Sequence, residues 1–202
     1  MSRREVVLAS SNRGKLKELT TLLGAFDWSL ITQDSLGIEP APEPFGTFVE
    51  NALAKARHAS TASGRPALAD DSGLCVHALG GAPGVRSARY AGSGASDADN
   101  ITRLLQELAD AHDRRAWFHC TLVYLEHADD PAPLIASGAW IGEILTAARG
   151  SGGFGYDPVF FLPEQGLSAA ELEPATKAEC SHRGVAMRAF AAAVEARRLS
   201  DG

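Results

Sequence analysis

The sequence predicts an α/β fold built on a mixed β-sheet, and three observations carry that prediction. Strand-like and helical patterns alternate early in the chain, and two long β-rich runs joined by a short polar turn follow later. The composition is that of a globular protein, with 45% hydrophobic and 22% charged residues over 202 positions. A chain of this length holds one domain, or one domain with two lobes, around a substantial core. No repeat and no interdomain linker subdivides it.

The elements follow in order. Residues 5–10, EVVLAS, form a β-prone run; after SNRGK, Leu16, Leu19, Leu22, Leu23 and Phe26 recur at helical spacing. WSLITQ (28–33) reads as a second strand. The prolines of GIEPAPEPFG (37–46) exclude a regular helix or a central strand. In TFVENALAKARHAS, Thr47 and Glu50 form a capping box, Phe48, Ala52, Ala56 and Ala59 share one face, and Asn51 and Lys55 share an adjacent stripe. ALADDSGLCVHAL is strand-like around its acidic pair, and GGAPGVRSARYAG is a glycine-rich loop. Ser96 and Asp99 cap a further amphipathic helix with Ile101, Leu104, Leu105 and Leu108 inward. Residues 116–128 and 133–145 read as a hairpin, residues 150–163 as a loop entering a strand, and the tail as a helix capped by Ser181 that buries Ala186, Phe190 and Val194.

Bulk properties narrow the function. A net charge of −6, from 19 basic and 25 acidic residues, opposes binding to a nucleic-acid backbone. No apolar run is long enough to cross a membrane, and the N-terminus lacks a signal-peptide core. Cys75, Cys120 and Cys180 are odd in number and widely spaced, which argues against a disulfide framework or structural zinc and for a reduced, cytoplasmic setting.

Four stretches bear chemistry. ASSNRGK lies between a strand and a helix N-terminus, where free backbone N–H groups, Ser10, Asn12 and Lys15 suit a phosphate; a plain N-cap with a solvated lysine is the alternative. Ala9 and Leu16 exclude a Walker A loop. Asp70 and Asp71 adjoin inside an apolar run. They form either a strand end with an Asx-turn at DDSG or a hard-oxygen site for Mg²⁺ that also positions or deprotonates a water. GSGGFGYDP, with Phe154, Tyr156 and Asp157, offers an aromatic ring and a carboxylate to a planar base. His182 and Arg183 are a cap's exposed neighbours or donors for base acceptors. Glu39 and Glu43 both stand in the proline-rich loop.

Taken together, VVLASSNRGKLKEL, TFVENALAKARHA, ALADDSGLCVHALGGAPGVRSARYAG, GSGGFGYDPVFF and KAECSHRGVAMRAF resemble, in order and over nearly the whole chain, the motifs of the Ham1-type inosine triphosphate pyrophosphatases. The resemblance implies Mg²⁺-assisted hydrolysis of ITP, dITP and XTP between the α- and β-phosphates. It also implies a long mixed sheet flanked by helices in two lobes with a cleft between them, within a single domain over 1–202, and a homodimer. By the same resemblance Ser10, Ser11, Asn12, Arg13, Gly14 and Lys15 match the phosphate loop and Lys55 the helix lysine near the phosphates. Asp71 matches the catalytic, metal-binding aspartate, supported by Asp70, and Ser72 touches substrate. Phe154, Gly155, Tyr156, Asp157, Lys177, His182 and Arg183 match base-recognition positions. Two departures stand out: SSN replaces the usual Thr-Gly or Ser-Gly before the asparagine, and the acidic loop is poorer in glutamate. The second metal ligand is accordingly Glu43, counting back from Phe48, or Glu39, counting from Leu36-Gly37.

Overall fold

A computed structural model describes residues 4–10, 19–20, 24 and 28–200. The helix expected after SNRGK falls largely outside them. Among the described residues, seven strands form one sheet in the order β2-β1-β3-β4-β5-β6-β7. They are β1 (Arg4–Leu8), β2 (Trp28–Thr32), β3 (Ala67–Val76), β4 (Arg115–Leu125), β5 (Leu134–Ile144), β6 (Phe160–Leu162) and β7 (Leu167–Ser168). The described helices are α1 (Phe48–Ser63), α2 (Asp97–Glu107), α3 (Pro174–Cys180) and α4 (His182–Ser200), with short 3₁₀ turns between elements. β1 pairs in parallel with both β2 and β3, whereas β6 is antiparallel to β5 and β7, so the sheet is mixed as expected.

The chain divides into two compact units that interleave along the sequence. The first comprises residues 1–71, 120–138 and 183–202; the second comprises 72–119 and 139–182. The first unit has two hydrophobic clusters. In one, Val6, Leu8, Leu68, Leu122, Tyr124, Met187 and Phe190 pack together, with Trp28 stacked on Tyr124 at 5.1 Å between ring centroids and edge-on to Phe190. In the other, Ala52, Ala56 and Ala59 of α1, each fully buried, meet Val7, Ala67, Ala69 and Val123. Side chains this small let α1 lie close to the strands, so the residues on its neighbouring stripe come near β3. α1 begins as expected at Thr47, whose hydroxyl accepts the Glu50 N–H at 3.4 Å, and ends at Gly64 in the left-handed conformation.

The second unit packs Leu74, Val76, Leu104, Leu108, Phe118, Trp140, Tyr156 and Phe160. α2 carries the complete capping box at Ser96 and Asp99; Leu104 and Leu108 are buried, and Ile101 and Leu105 pack half-buried against the same cluster. β4 and β5 are adjacent in the sheet, and β5 alternates buried and exposed residues. The strand reading of ALADDSGLCV holds without a break at the acidic pair. β3 continues through Asp70 and Asp71 to Val76, so the alternative of a strand end with an Asx-turn at DDSG does not apply. Among the described residues no helix is long and apolar enough to cross a membrane.

Candidate active site

Asp71 sits within β3, 4% exposed, and two residues of α1 one turn apart reach it. Asn51 Nδ2 donates to Asp71 Oδ2 at 3.3 Å, and Lys55 Nζ donates to Asp71 Oδ1 at 3.3 Å. The helical spacing visible in the sequence therefore aims an amide and an ammonium at the two oxygens of one carboxylate. Lys55 Nζ also donates to Glu43 Oε1 at 2.7 Å, which brings the proline-rich loop into the cluster. Glu39 is placed otherwise: the residue is exposed, and its carbonyl meets the His58 ring at 2.8 Å. Of the two glutamates proposed for the second ligand, Glu43 is the one beside Lys55.

Burial alone would lower the pKa of Lys55, but Asp70, Asp71 and Glu43 outweigh it and hold the ammonium above its ordinary value. The lysine is therefore a fixed positive charge at neutral pH, and three carboxylates surround it. Asp70, on the neighbouring position of the strand, is 1% exposed, and its Oδ2 lies 4.0 Å from Nε of the equally buried Arg183. A carboxylate in an apolar run needs a cation nearby. Among the described residues, Arg183 and Lys55 lie near Asp70, and Lys55 near Asp71.

Within the second unit the glycine-rich loop and α3 form another cluster. Asp157 Oδ2 accepts the Phe154 N–H at 2.8 Å and the Lys177 ammonium at 2.5 Å, and Lys177 Nζ lies 5.0 Å from the centroid of the Phe154 ring. Gly153 makes this possible. With φ at +74° it adopts a conformation that side chains rarely take, and a Cβ there would lie 2.0 Å from Asp157 Oδ2. The Gly155 N–H is held at 2.7 Å by Asp97 Oδ2 on the first turn of α2. Tyr156 is buried, donates its hydroxyl to the Ser87 carbonyl at 2.9 Å, and is pushed by burial well above the ordinary phenol pKa. Phe154 thus remains the half-exposed aromatic ring of this loop. His182 is buried and stacks on Phe118 at 4.8 Å with the rings 13° apart.

Of the loop expected to bind phosphate, Ser10 is described, half-buried directly beyond β1; Ser11, Asn12, Arg13, Gly14 and Lys15 lie outside the described residues. Ser72 follows Asp71 on β3 and is half-buried. Asn51 and Phe118 are contacts that the sequence reading did not assign. The i, i+4 spacing of Asn51 and Lys55 was the available signal for the first; nothing in the sequence pairs Phe118 with His182.

Glu43 and Asp71 present hard oxygens of the kind that bind Mg²⁺. Among the described residues no three His, Cys, Asp or Glu side chains form a metal cage. Mg²⁺ commonly takes only one or two carboxylates and completes its shell with waters and substrate phosphates, so this donor set fits it.

Comparison with known proteins agrees along the chain. A family profile described as the Ham1 family matches residues 6–193. A dITP/XTP pyrophosphatase of Ralstonia nicotianae is 58% identical over 199 residues, covering 97% of this chain and 98% of that protein. One from Burkholderia pseudomallei is 56% identical over 194 residues, covering 95% and 93%. A solved structure of a HAM1 protein from Coxiella burnetii superposes with a TM-score of 0.90 at 48% identity, covering 95% of this chain and 98% of that one. The Staphylococcus aureus Ham1 protein gives 0.87 at 37% identity, covering 96% and 100%.

Proposed function

Because the chain belongs to the Ham1 family, we propose that it is a dITP/XTP pyrophosphatase, hydrolysing dITP, XTP and ITP to the monophosphate and pyrophosphate. The observation that carries this reading is the buried Asp71, gripped by Asn51 and Lys55 and neighboured by Glu43 through the same lysine. A triphosphate brings about four negative charges, and a site for it must offset them as charge moves onto the leaving pyrophosphate. Lys55 supplies one fixed cation, and the Ser10–Lys15 loop is assigned the others. Asp71, with Glu43, would hold Mg²⁺; Glu39 takes that role only if the proline-rich loop rearranges. When bound, the ion supplies Lewis-acid stabilisation of charge on the phosphates.

In the reaction Asp71 orients a water and accepts its proton as the oxygen attacks the α-phosphorus. The bond from that phosphorus to the bridging oxygen breaks, and pyrophosphate leaves with the bond's electrons. Lys55, drawn to the phosphates, holds the developing charge. Asp70 supports the site through Arg183 and Lys55. Base choice is assigned to Phe154, by stacking, and to Lys177, His182 and Arg183 as donors to a 6-oxo group. Adenine's 6-amino group would set donor against donor, a mismatch that allows discrimination on the order of 10⁴. Asp157 and Gly155 shape that loop, Ser72 touches substrate, and Tyr156 supports the loop from the core. The reading extends to one domain over 1–202 that acts as a cytoplasmic homodimer on small nucleotides, without nucleic-acid or membrane partners.

The test is pyrophosphate release across dITP, XTP, ITP, ATP, GTP and the pyrimidine triphosphates, with Mg²⁺ and with chelator. Release confined to the 6-oxo non-canonical purines and abolished by chelation is expected. Binding without release marks a nucleotide-binding regulator, and preference for pyrimidines overturns the substrate assignment.

A further inference from the structure

We infer that Asn51 is a positioning residue that pins the proline-rich loop carrying Glu43 to Asp71, so that Lys55 can leave both carboxylates for substrate without the site coming apart. The inference rests on the pyrophosphatase reading above.

Asn51 is completely buried. Its Oδ1 accepts the Phe45 N–H at 3.1 Å, and its Nδ2 donates to the Phe45 carbonyl at 3.2 Å and to Asp71 Oδ2 at 3.3 Å. The acceptor and both amide protons are thus engaged, and the two backbone groups of a single residue are clamped at once. Phe45 stands two residues beyond Glu43, so fixing Phe45 fixes the stretch from which Glu43 reaches Lys55.

Asn51 and Lys55 therefore tie the same two parts together, the loop and Asp71, in different ways. Lys55 does so by charge, and a charge tie is exchangeable: triphosphate oxygens compete directly for the ammonium. Asn51 does so with an uncharged, buried amide, for which an incoming anion does not compete as it does for an ammonium. When Lys55 turns to substrate, Glu43 and Asp71 lose the ammonium they share, and until Mg²⁺ takes its place like charges push the loop from the strand. The amide clamp is what keeps the two carboxylates in register at that moment. The residue type follows. Aspartate has the same shape but no amide protons, and it would face both the Phe45 carbonyl and Asp71 with an oxygen.

The test compares Asn51→Ala and Asn51→Asp with the wild type in full-length enzyme whose fold is checked by circular dichroism. Expected for both is a fall in kcat of about 100-fold, the cost of roughly ångström-scale misplacement. A rise of about 10-fold or more in the Mg²⁺ concentration giving half-maximal activity should accompany it. A readout independent of turnover is calorimetric titration of Mg²⁺ into enzyme saturated with inosine 5′-(α,β-methylene)triphosphate, where the same weakening should appear. Because Asn51 acts through Glu43, adding Glu43→Gln to Asn51→Ala should cost much less than Glu43→Gln costs alone. Full additivity, or folded variants with unchanged kcat and Mg²⁺ dependence, overturns the positioning role while wild-type pyrophosphate release leaves the enzyme reading standing. If Asn51→Ala does not fold, the isosteric Asn51→Asp decides. If the wild type itself releases no pyrophosphate, the enzyme reading fails, and the clamp loses its purpose with it.

Discussion

Asp71 and Lys55 are bound by complementary charge with both side chains largely buried, so removing either charge exposes what the other does. Asp71→Asn retains the shape of the side chain and leaves Lys55 its contact with Glu43, so the fold should survive. If Asp71 is the proton acceptor proposed above, its loss should lower turnover about 1,000-fold. A purified variant that keeps half the wild-type rate would remove Asp71 from the chemistry. In the glycine-rich loop the decisive residue has no side chain. Gly153→Ala and Gly155→Ala both place a Cβ at positive φ, +74° and +60°, but only at 153 does that Cβ meet an atom, Asp157 Oδ2; at 155 the space is open. Backbone strain of this kind costs about 1–3 kcal/mol. Gly153→Ala should destabilise by more than Gly155→Ala in urea titrations, and equal losses would mean that Asp157 moves aside freely. The sequence showed Lys55 and Asp71 as residues of interest. It favoured Glu43 but kept Glu39 as the alternative, because that choice depends on how a loop without regular structure returns to α1.

At the scale of elements, caps and strands connect local sequence to the site. The Ser96–Asp99 capping box fixes the first turn of α2, and Asp97 in that turn holds the Gly155 N–H. Ser96→Ala should cost about 1 kcal/mol, and faster hydrogen exchange at the Gly155 amide should accompany it. Protection at Gly155 unchanged from the wild type would show that the turn and the loop are independent. The caps at Thr47 and Ser96, the alanine face of α1 and the long β-rich runs of β4 and β5 were all legible, because each is a repeating or short-range pattern. β7 and α3 were not. A strand of two residues has no period to detect, and the only signal for α3 is Pro174 at its first position. For β3 the residues Asp, Ser and Gly favour a turn locally, and the strand won because the apolar residues on either side are buried in the two units.

For the whole molecule, buried titratable groups set how stability responds to pH. Burial pushes the Cys75 thiol from its ordinary 9.0 up to about 11. Below pH 9 the thiol is neutral whether the chain is folded or not. As pH rises through that range the unfolded chain ionises first, so stability is lost between pH 9 and about 11, by roughly 2–3 kcal/mol from this group. Unfolding free energies measured from pH 8 to 11 should fall less steeply for Cys75→Ala than for the wild type, and parallel curves would assign the alkaline loss to other groups. The mixed α/β class was legible because it depends on the order of long elements. The interleaving of the two units was not, since no change in composition marks the points where the chain passes from one to the other.

That interleaving bears on how the protein is made. The first unit's largest apolar cluster joins Val6 and Leu8 to Ala186, Met187, Phe190 and Val194 of α4, and residues 72–119 and 139–182 are translated in between. A ribosome delivers the apolar face of β1 long before it delivers the helix that covers it. The nascent chain must therefore carry the first unit unfinished while residues 72–119 and 139–182 are added. Chains that stop before α4 would display Leu8, Leu68 and Tyr124, which that helix otherwise covers, to chaperones and proteases.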